Sequence, residues 1–525
     1  KFTLNNSTHM KRTILTIAIL LGTTVATQAQ QLAFPGAEGF GRYATGGRTG
    51  SVYHVTNLND DGPGSFRDAV SSPNRIVVFD VAGVIRINSR ISVSPNLYIA
   101  GQTAPGEGVT IYGNGLSFSG ADNTICRYLR VRMGVVGQKG ADAIGISHGK
   151  NMIFDHVSAA WGRDETFSIS GKHPEDITIQ NSIISQGLIN HSAGGLVQTE
   201  NRVTIYRTLY ANNNTRNPKF KGRHQYVNNI IYNWNAAAYI MGGNSQMTSY
   251  ANTVGNLFIT GPMGKKNAFI RANDRYHIYA KDNLLDDNRD GKLNARLIAR
   301  EEYQGGPTFH ETPFDYPELP TVKAKKLMDE ILPTVGASLP YRDNLDHLLV
   351  QDVRSLGKQG EQISDEATLP IGAPDTWGLW KGSNENRTDT DGDGMPDWWE
   401  KKNGTDPNRD DAMTLKDGYA HIEHYINSID HTYSQPFLKA PVALTAQPTG
   451  NQVTLTWMDF TDGEKNFVVE QQINGTFQEV KRTKANATQC TISDLAPATS
   501  HTFRVKATGK QGESEYSKAV EVKTR

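Results

Sequence analysis

Cysteine is nearly absent from this chain, because Cys126 and Cys490 are its only two cysteines in 525 residues. Two cysteines separated by most of the chain exclude a disulfide-rich scaffold, and they offer no cysteine spacing for a metal. We expect both to be free thiols.

Net charge is also absent, since 54 basic and 54 acidic residues cancel to a formal charge of +0. No overall field therefore draws the chain to nucleic acid or to a membrane surface, and an anionic polymer can be met only by a local basic patch. We expect no nucleic-acid partner.

Long hydrophobic runs are scarce. The apolar run 14–21 follows Met10 and the basic pair Lys11 and Arg12, and small residues lead to a cleavage position after Ala29. This order predicts a signal peptide over 10–29, and the run is too short for the alternative, a membrane anchor. Since no later run reaches the roughly 18 apolar residues of a spanning helix, we expect no membrane insertion and a secreted or periplasmic protein.

The chain does contain many short β-branched runs, together with 50 glycines and 37% hydrophobic residues. Several runs follow a polar turn residue, and these turns recur at intervals of roughly 25 to 28 residues: Asn96, Asn123, Asn151, Asp176 and Asn256. Such a period indicates a β-solenoid, in which stacked coils bury one continuous core. The alternative, a β-sandwich enzyme, is disfavoured because hairpin turn signals are few.

The pattern divides the chain into an all-β series of domains. We predict a parallel β-helix over 30–355, a linker rich in Gly, Pro, Ser and charge over 356–388, a small module over 389–432 and a β-sandwich over 436–525. Alternation in 453–457, 467–470 and 502–505 supports the sandwich.

The strongest metal signal lies in the small module. Acidic residues occupy positions 1, 3, 5, 9 and 12 of a loop that has Gly394 at position 6: Asp389, Asp391, Asp393, Asp397 and Glu400. This spacing predicts a calcium site, because it wraps oxygen ligands around a hard cation. We expect a structural role at the junction between domains. A weaker echo over 286–291 has Leu297 at its twelfth position.

In the solenoid, Asp142 and Asp164 are about one coil apart, so they are expected to be neighbours able to share a calcium ion. An exposed pair of turn aspartates is the alternative. Asp164 and Glu165 should point to opposite sides of a strand. Two coils on, four cations gather within eight residues, and they form either a solvated surface or a binding site: Arg216, Lys219, Lys221 and Arg223.

Several segments carry a resemblance to a known family. They are 33–41, 55–60, 64–70, 99–106 and the triplet Phe154-Asp155-His156, thirteen residues after Asp142. Over about 33–352 the chain resembles secreted pectate lyases of polysaccharide lyase family one. Its tail resembles a thrombospondin type 3-like, EF-hand-like calcium loop followed by a fibronectin type III domain.

The resemblance implies a right-handed parallel β-helix that cleaves polygalacturonate, the backbone of pectin, by β-elimination with calcium and an arginine base. It implies that Arg216 is the base, by its Arg-x-Pro context, and that Asp142 and Asp164 are calcium ligands. Lys221 stands where a second substrate-binding arginine is usual, with Lys219 and Arg223 as further substrate-binding cations. We expect a monomer.

The chain departs from the family pattern at three positions. Ser168 and Gly140 stand where the family has acidic residues, and Ala193 stands where it has a substrate-binding lysine. Two alternatives to a calcium-dependent pectate lyase therefore stay open. One is a catalytically impaired protein that binds pectic polysaccharide, and the other is a pectin lyase acting on methyl-esterified chains.

Overall fold

Short parallel strands separated by tight corners stack into three faces around one apolar interior. The computed structural model describes residues 30–189, 191–264, 267–379, 381–382, 386–430, 438–461 and 463–525. The predicted signal peptide over 10–29 lies outside the described residues. Leu32–Arg525 forms one compact unit, and the three faces are taken here in the order in which the chain visits them within a coil.

Faces one and two are two rows of strands within a 17-stranded sheet. Face one consists of Ile91–Ser92, Leu116–Ser117, Ile144–Ile146, Phe167–Ser170, the first part of Leu196–Tyr206, the first part of Lys219–Val227, Tyr239–Met241 and Phe269–Ile270. Face two consists of Ser51–Val55, Arg75–Phe79, Leu97–Ala100, Ile125–Arg127, Lys150–Asp155, Glu175–Gln180, the ends of those two long strands, Ser249–Val254, Tyr276–Lys281 and Thr308–Phe309.

Face three is a ten-stranded sheet. Its strands are Gly83–Ile87, Val109–Gly113, Arg130–Arg132, Ser158–Ala160, Ile183–Ser185, Leu209–Ala211, Ile230–Tyr232, Leu257–Ile259, Leu284–Asp286 and the antiparallel Arg296–Leu297. Alternate residues point inward to a shared core and outward, so the parallel solenoid predicted from the turn period is confirmed.

Polar corner residues explain the period. Asn96, Asn123 and Asn151 have positive φ values of 54°, 59° and 57°, a conformation that asparagine tolerates better than most residues. The Asn151 side chain donates to Asn123 Oδ1 at 2.6 Å, and the Asn123 side chain donates to Asn96 Oδ1 at 3.1 Å. The repeated asparagines therefore form a ladder that turns each coil and joins it to the next.

The outside of face three is buried as well. Outward residues such as Ile183, Leu209 and Ile230 share a second apolar cluster with the helix Asn344–Arg354. Arg132 fastens this helix, because its guanidinium donates to Asp343 at 2.8 Å and Asp346 at 2.7 Å with all three side chains fully buried. Face three is thus covered on both sides.

The remaining helices are short. The α-helices Phe66–Ala69 and Leu327–Ile331 and the 3-10 turns Gly101–Thr103, Arg300–Glu302, Ala324–Lys326, Glu366–Thr368 and Pro374–Thr376 connect or cover coils. In the described part of the chain, no helix combines the length and the apolar content needed to cross a membrane. Cys126 is buried and Cys490 is half-buried, and both are free thiols, as expected.

The segment 356–388, which its composition predicts to be a linker, packs against the solenoid in its described part. In its described part, Ile363, Leu369 and Ile371 are buried in the cluster outside face three. Glu366 accepts from the Tyr112 hydroxyl at 2.7 Å and from the Val135 N–H at 2.9 Å. The segment is a packed connection, because apolar residues placed between its glycines and prolines find partners on the solenoid.

The small module contains the helices Asp397–Asn403 and His421–Ser428 and the strand pair Leu415–Lys416 and Tyr419–Ala420. Its apolar residues, among them Ile422 and Tyr425, pack with outward residues of face two such as Ile76 and Val78. The bidentate ion pair of Arg48 with the buried Glu423, at 2.8 Å and 3.0 Å, ties the module to the solenoid.

The C-terminal unit is a β-sandwich, as predicted. One sheet contains Val442–Thr449, Gln452–Met458 and Gln489–Ile492, and the other contains Glu464–Ile473, Thr476–Arg482, Ser500–Gly509, Gly512–Glu513 and Val520–Lys523. His501 is buried in this sandwich, and its Nε2 lies 3.3 Å from the Ala496 carbonyl.

Candidate active site

The candidate site lies at the corner where the chain passes from face three to face one. Register places Asp142 level with Glu165, whose N–H donates to Asp142 Oδ1 at 3.0 Å. Isolated bridges continue this row from Glu165 to Ala193 and from Ala193 to Thr215. Residues from four successive coils, including Arg216 after Thr215, therefore meet along one edge.

Asp164 and Glu165 lie on the same side of the chain, so the expectation that they point apart is wrong. Strand alternation does not apply, because Asp164 lies in a bend and Glu165 makes only an isolated bridge before the strand Phe167–Ser170 begins. The bend brings the carboxylates of both residues together.

His191, from the next coil, completes a group with these two carboxylates. Its Nε2 lies 3.1 Å from Asp164 Oδ1 and 3.9 Å from Glu165 Oε1. One ligand atom from each of the three residues lies within 4.8 Å of the others. Glu165 is only 5% exposed, whereas the other two side chains are about 40% exposed, so the group opens to the surface on one side.

Asp142 borders this group. Burial raises the pKa of Asp142 to about 6, and the charge of Asp164 acts in the same direction, while a hydrogen bond with Ser168 opposes them. A carboxyl group whose charge is so disfavoured gains by binding a cation. Asp142 and Asp164 are thus close, as the one-coil spacing predicts, and Ser168 lies beside them.

Arg216 faces the same group. Its guanidinium Nη1 forms an ion pair with Glu165 Oε1, and its side chain is 26% exposed. Burial is the largest influence on the pKa of Arg216 and lowers it; the charge of Arg271 acts the same way, while Asp164 and Asp142 oppose. The candidate base is thus within reach of the candidate metal ligands.

Two of the three predicted substrate-binding cations lie near Arg216 on face one. Burial lowers the pKa of Lys219, and the charges of Lys221 and Arg216 lower it further. Lys221 Nζ donates to Gln198 Oε1, one coil away, at 2.6 Å. These lysines sit at alternate positions of one strand, so they project from the same side of the sheet.

Arg223 does not join them. The strand Lys219–Val227 turns from face one to face two at Gly222, which has a φ of +86° and no room for a Cβ, because the Thr199 carbonyl oxygen would lie 1.7 Å away. Arg223 follows this corner, pairs in register with Arg202 and Tyr250, and is exposed on face two.

The calcium loop brings most of its predicted ligands together. Asp389, Asp391 and Asp393 offer oxygens within 4.8 Å of one another. Glu400 is fully buried, neither of its oxygens has a hydrogen-bond partner among the described residues, and burial together with Asp393 raises its pKa to about 7. Such an orphaned carboxylate fits a cation site.

Asp397, the remaining predicted ligand, closes the loop instead. Its carboxylate accepts from the Thr390 N–H at 2.8 Å and from the Thr390 hydroxyl at 2.9 Å. The structure keeps it outside the group of three aspartates.

Three residues of the site were missed from sequence: Glu165, His191 and Arg271. Alternation argued against Glu165, and Arg271 lies two coils beyond Arg216. His191 has a sequence signal, since it lies one coil after Asp164, but a single histidine at that spacing is common.

Parts of the chain are similar in sequence to known proteins. Residues 389–409 match the model of the bacterial TSP3 repeat, and residues 446–517 match that of a PBP1-like, fibronectin3-like domain. A protein of Aspergillus fumigatus named "Probable pectate lyase C" is 50% identical over 401 residues, which are 76% of this chain and 94% of that protein. One of Emericella nidulans with the same name is 48% identical over 421 residues, 79% of this chain and 96% of that protein.

Among solved structures, the cedar pollen allergen jun a 1 is 17% identical with a TM-score of 0.41, over 57% of this chain and 92% of that one. The relatives in sequence confirm the family resemblance that the motifs indicate.

Proposed function

The chain belongs to the pectate lyase family, and from this premise we propose that it cleaves de-esterified polygalacturonate by calcium-dependent β-elimination, releasing 4,5-unsaturated oligogalacturonides. The observation that carries the proposal is the position of Arg216 beside Asp142, Asp164 and Glu165 on an edge built from successive coils. A base next to a cation-binding group is what removal of a weakly acidic proton requires.

In the proposed reaction, the unprotonated form of Arg216 accepts the proton on C5 of a galacturonate residue. The electron pair of that C–H bond forms the C4–C5 double bond, the C4–O4 bond breaks, and the leaving oxygen takes a proton. An arginine is ordinarily protonated at neutral pH. The burial that lowers the pKa of Arg216, helped by Arg271, makes the unprotonated form more accessible.

We propose that Asp142, Asp164 and Glu165 would hold the catalytic calcium. Their oxygens suit a hard cation, and the raised pKa of Asp142 shows a carboxyl group that gains from positive charge nearby. Calcium bound there would neutralise a substrate carboxylate and stabilise the negative charge that develops beside it.

Lys219 and Lys221 are proposed to hold the carboxylates of the substrate chain. Both project from face one near Arg216, and each can donate to an anionic oxygen. Because the net charge of the chain is zero, this local patch supplies the attraction for an anionic polymer. We assign no substrate contact to Arg223, which lies beyond the corner.

Two alternatives remain testable. The cluster of Asp142, Asp164 and Glu165 disfavours a metal-independent pectin lyase, since an esterified chain has little charge for a cation to bridge. The presence of Arg216 beside this cluster disfavours a protein that only binds. We also propose export of the chain, supported by the basic, apolar and small-residue order of 10–29.

The test is ultraviolet absorbance of the unsaturated product during incubation with polygalacturonate. We expect a rise with calcium, its loss with a chelator, and a rate at least about a hundredfold lower in Arg216→Ala. Binding of polygalacturonate without any rise would favour the impaired protein. Activity only on esterified pectin, indifferent to chelator, would favour a pectin lyase.

A further inference from the structure

One oxygen of Glu165 faces two different partners. Oε1 forms the ion pair with Arg216 Nη1, and it also lies 3.9 Å from His191 Nε2 in the group that could hold a cation. With 5% exposure, Glu165 has little water to substitute for either partner. A buried carboxylate in this position must satisfy the arginine, the cation or both.

We propose that Glu165 is shared between Arg216 and the catalytic metal, so that metal binding and release of the base from its ion pair are coupled. This inference rests on the proposed function. Without metal, Glu165 holds the guanidinium of Arg216 in the ion pair. With metal, the carboxylate turns its charge to the cation and leaves Arg216 weakly paired.

The geometry favours sharing over two independent contacts. Glu165 is held in place at its backbone, because its N–H donates to Asp142 Oδ1 and its residue bridges to Ala193 in the next coil. The carboxylate thus has a fixed origin between the two partners. Asp164, by contrast, is 41% exposed and can change its contacts with solvent at little cost.

Coupling of this kind is reciprocal. If metal weakens the hold of Glu165 on Arg216, then Arg216 must weaken the binding of metal by the same factor. The proposal therefore predicts an unusual gain: removing the proposed base should tighten metal binding. A merely structural contact between Glu165 and Arg216 predicts no such specific gain.

The experiment is calorimetric titration of the full chain with Ca²⁺. The 389–400 loop is a second candidate site in every variant, so the event assigned to the active site is the one that Asp164→Asn removes. We expect Arg216→Ala to increase the calcium affinity of this binding event by about 5-fold or more, within the usual range of coupling between sites. Arg216→Gln serves as a second neutral variant if Arg216→Ala does not fold.

Arg271→Ala is the matched control. Arg271 is an arginine that acts on the pKa of Arg216 but has no ion pair with Glu165 among the described contacts. Removing Arg271 should increase the calcium affinity of the active-site event by less than about twofold if the effect of Arg216 is specific. Glu165→Gln should weaken the event, and adding Arg216→Ala to Glu165→Gln should then bring no further gain.

Two results would overturn the sharing. One is an equal gain in Arg216→Ala and Arg271→Ala, which would reduce the effect to general charge. The other is a gain that persists in the Glu165→Gln background. The proposed function fails separately, if the wild-type protein with calcium releases no unsaturated product from polygalacturonate whatever the titrations show.

Discussion

Single side chains divide the basic segment 216–223 into residues that face the site and one that does not. Lys219 and Lys221 project from face one, whereas Arg223 follows the corner at Gly222 and is exposed on face two. Spacing alone grouped all of them, because alternation in a strand is lost where a solenoid turns.

Lys221→Ala is expected to raise KM for polygalacturonate about tenfold or more, with a smaller effect on kcat. The reason is the loss of one charged hydrogen bond to a substrate carboxylate, worth about 1.5–3 kcal/mol. Steady-state product absorbance measures both constants, and Lys221→Arg should keep most of the affinity because it retains the charge.

Arg223→Ala is the matched control for that prediction, since it removes a cation from the same strand. We expect its KM to stay within about twofold of the wild-type value, because a surface charge outside the site is largely screened. A tenfold rise in Arg223→Ala would extend the binding surface around the corner onto face two.

The sequence predicts the position of a residue correctly where that position follows from the spacing of the coils. It fails where the position depends on a local bend in the chain. Asp142 and Asp164 are neighbours, as one coil of spacing predicts. Glu165 was set aside on strand alternation, and only the bend before Phe167–Ser170 brings it to Arg216. No periodic pattern in the sequence encodes that bend.

At the scale of elements, Asp155 joins neighbouring coils at a corner of face two. Its buried carboxylate accepts from Arg127 at 2.9 Å, Gln180 at 2.9 Å and Asn181 at 3.0 Å. These donors and the charge of His156 outweigh the burial of Asp155 and hold its pKa well below the usual range. The sequence motif that includes Asp155 thus has a structural role here.

Asp155→Asn should lower the free energy of unfolding by about 3–5 kcal/mol, because Arg127 then lacks its buried partner. A depressed pKa contributes stability that is complete above the unfolded value of about 4 and declines as pH falls below it. Denaturant unfolding at several pH values should therefore show the wild-type advantage narrowing below about pH 4. An advantage that stays constant to pH 3 would contradict this origin.

In the calcium loop, the substitution Glu400→Gln should affect stability differently with calcium and with a chelator. Calcium at a hundredfold excess over Kd should stabilise the wild type by about 2.7 kcal/mol and so raise its thermal midpoint. With excess calcium, Glu400→Gln should lose most of this rise. With a chelator, the variant should be at least as stable as the wild type, because it removes a buried carboxylate without partners.

Scanning calorimetry with and without chelator measures both effects. Thr390→Ala, which removes the hydroxyl that donates to Asp397, is a control that leaves the cluster of aspartates in place. Equal loss of stability by Glu400→Gln in both conditions would assign Glu400 to packing instead of calcium.

Elements were more predictable than their surroundings. Turn residues at a regular interval predict the coils, because each corner needs the same backbone conformation. The covering of face three was not predictable, because it depends on which distant segments supply apolar side chains. The segment 356–388, which its composition predicts to be a linker, is one of those segments.

At the scale of the whole molecule, the solenoid, the small module and the sandwich belong to the one compact unit Leu32–Arg525. The sandwich docks against the coils and the helix Asn344–Arg354: the Phe460 ring stacks on His347 with centroids 5.1 Å apart, and Gln351 donates to the Asp459 carbonyl at 3.1 Å. Lys439 forms a buried ion pair with Glu107 of the solenoid. These contacts hold the sandwich in a fixed position on the solenoid.

Lys439→Met should therefore weaken the docking strongly, by about 3–5 kcal/mol, because it removes one charge of the buried ion pair with Glu107. Adding Glu107→Gln should restore part of the loss, since it removes the buried negative charge that Lys439 balances. We expect one thermal transition in the wild type and an earlier, separate transition of the sandwich in Lys439→Met.

Lys481→Met, on the far strand Thr476–Arg482, removes an exposed lysine and should leave the thermal transition unchanged. If Lys439→Met keeps a single transition at the wild-type temperature, the sandwich is held by its apolar contacts alone, and the ion pair only orients it.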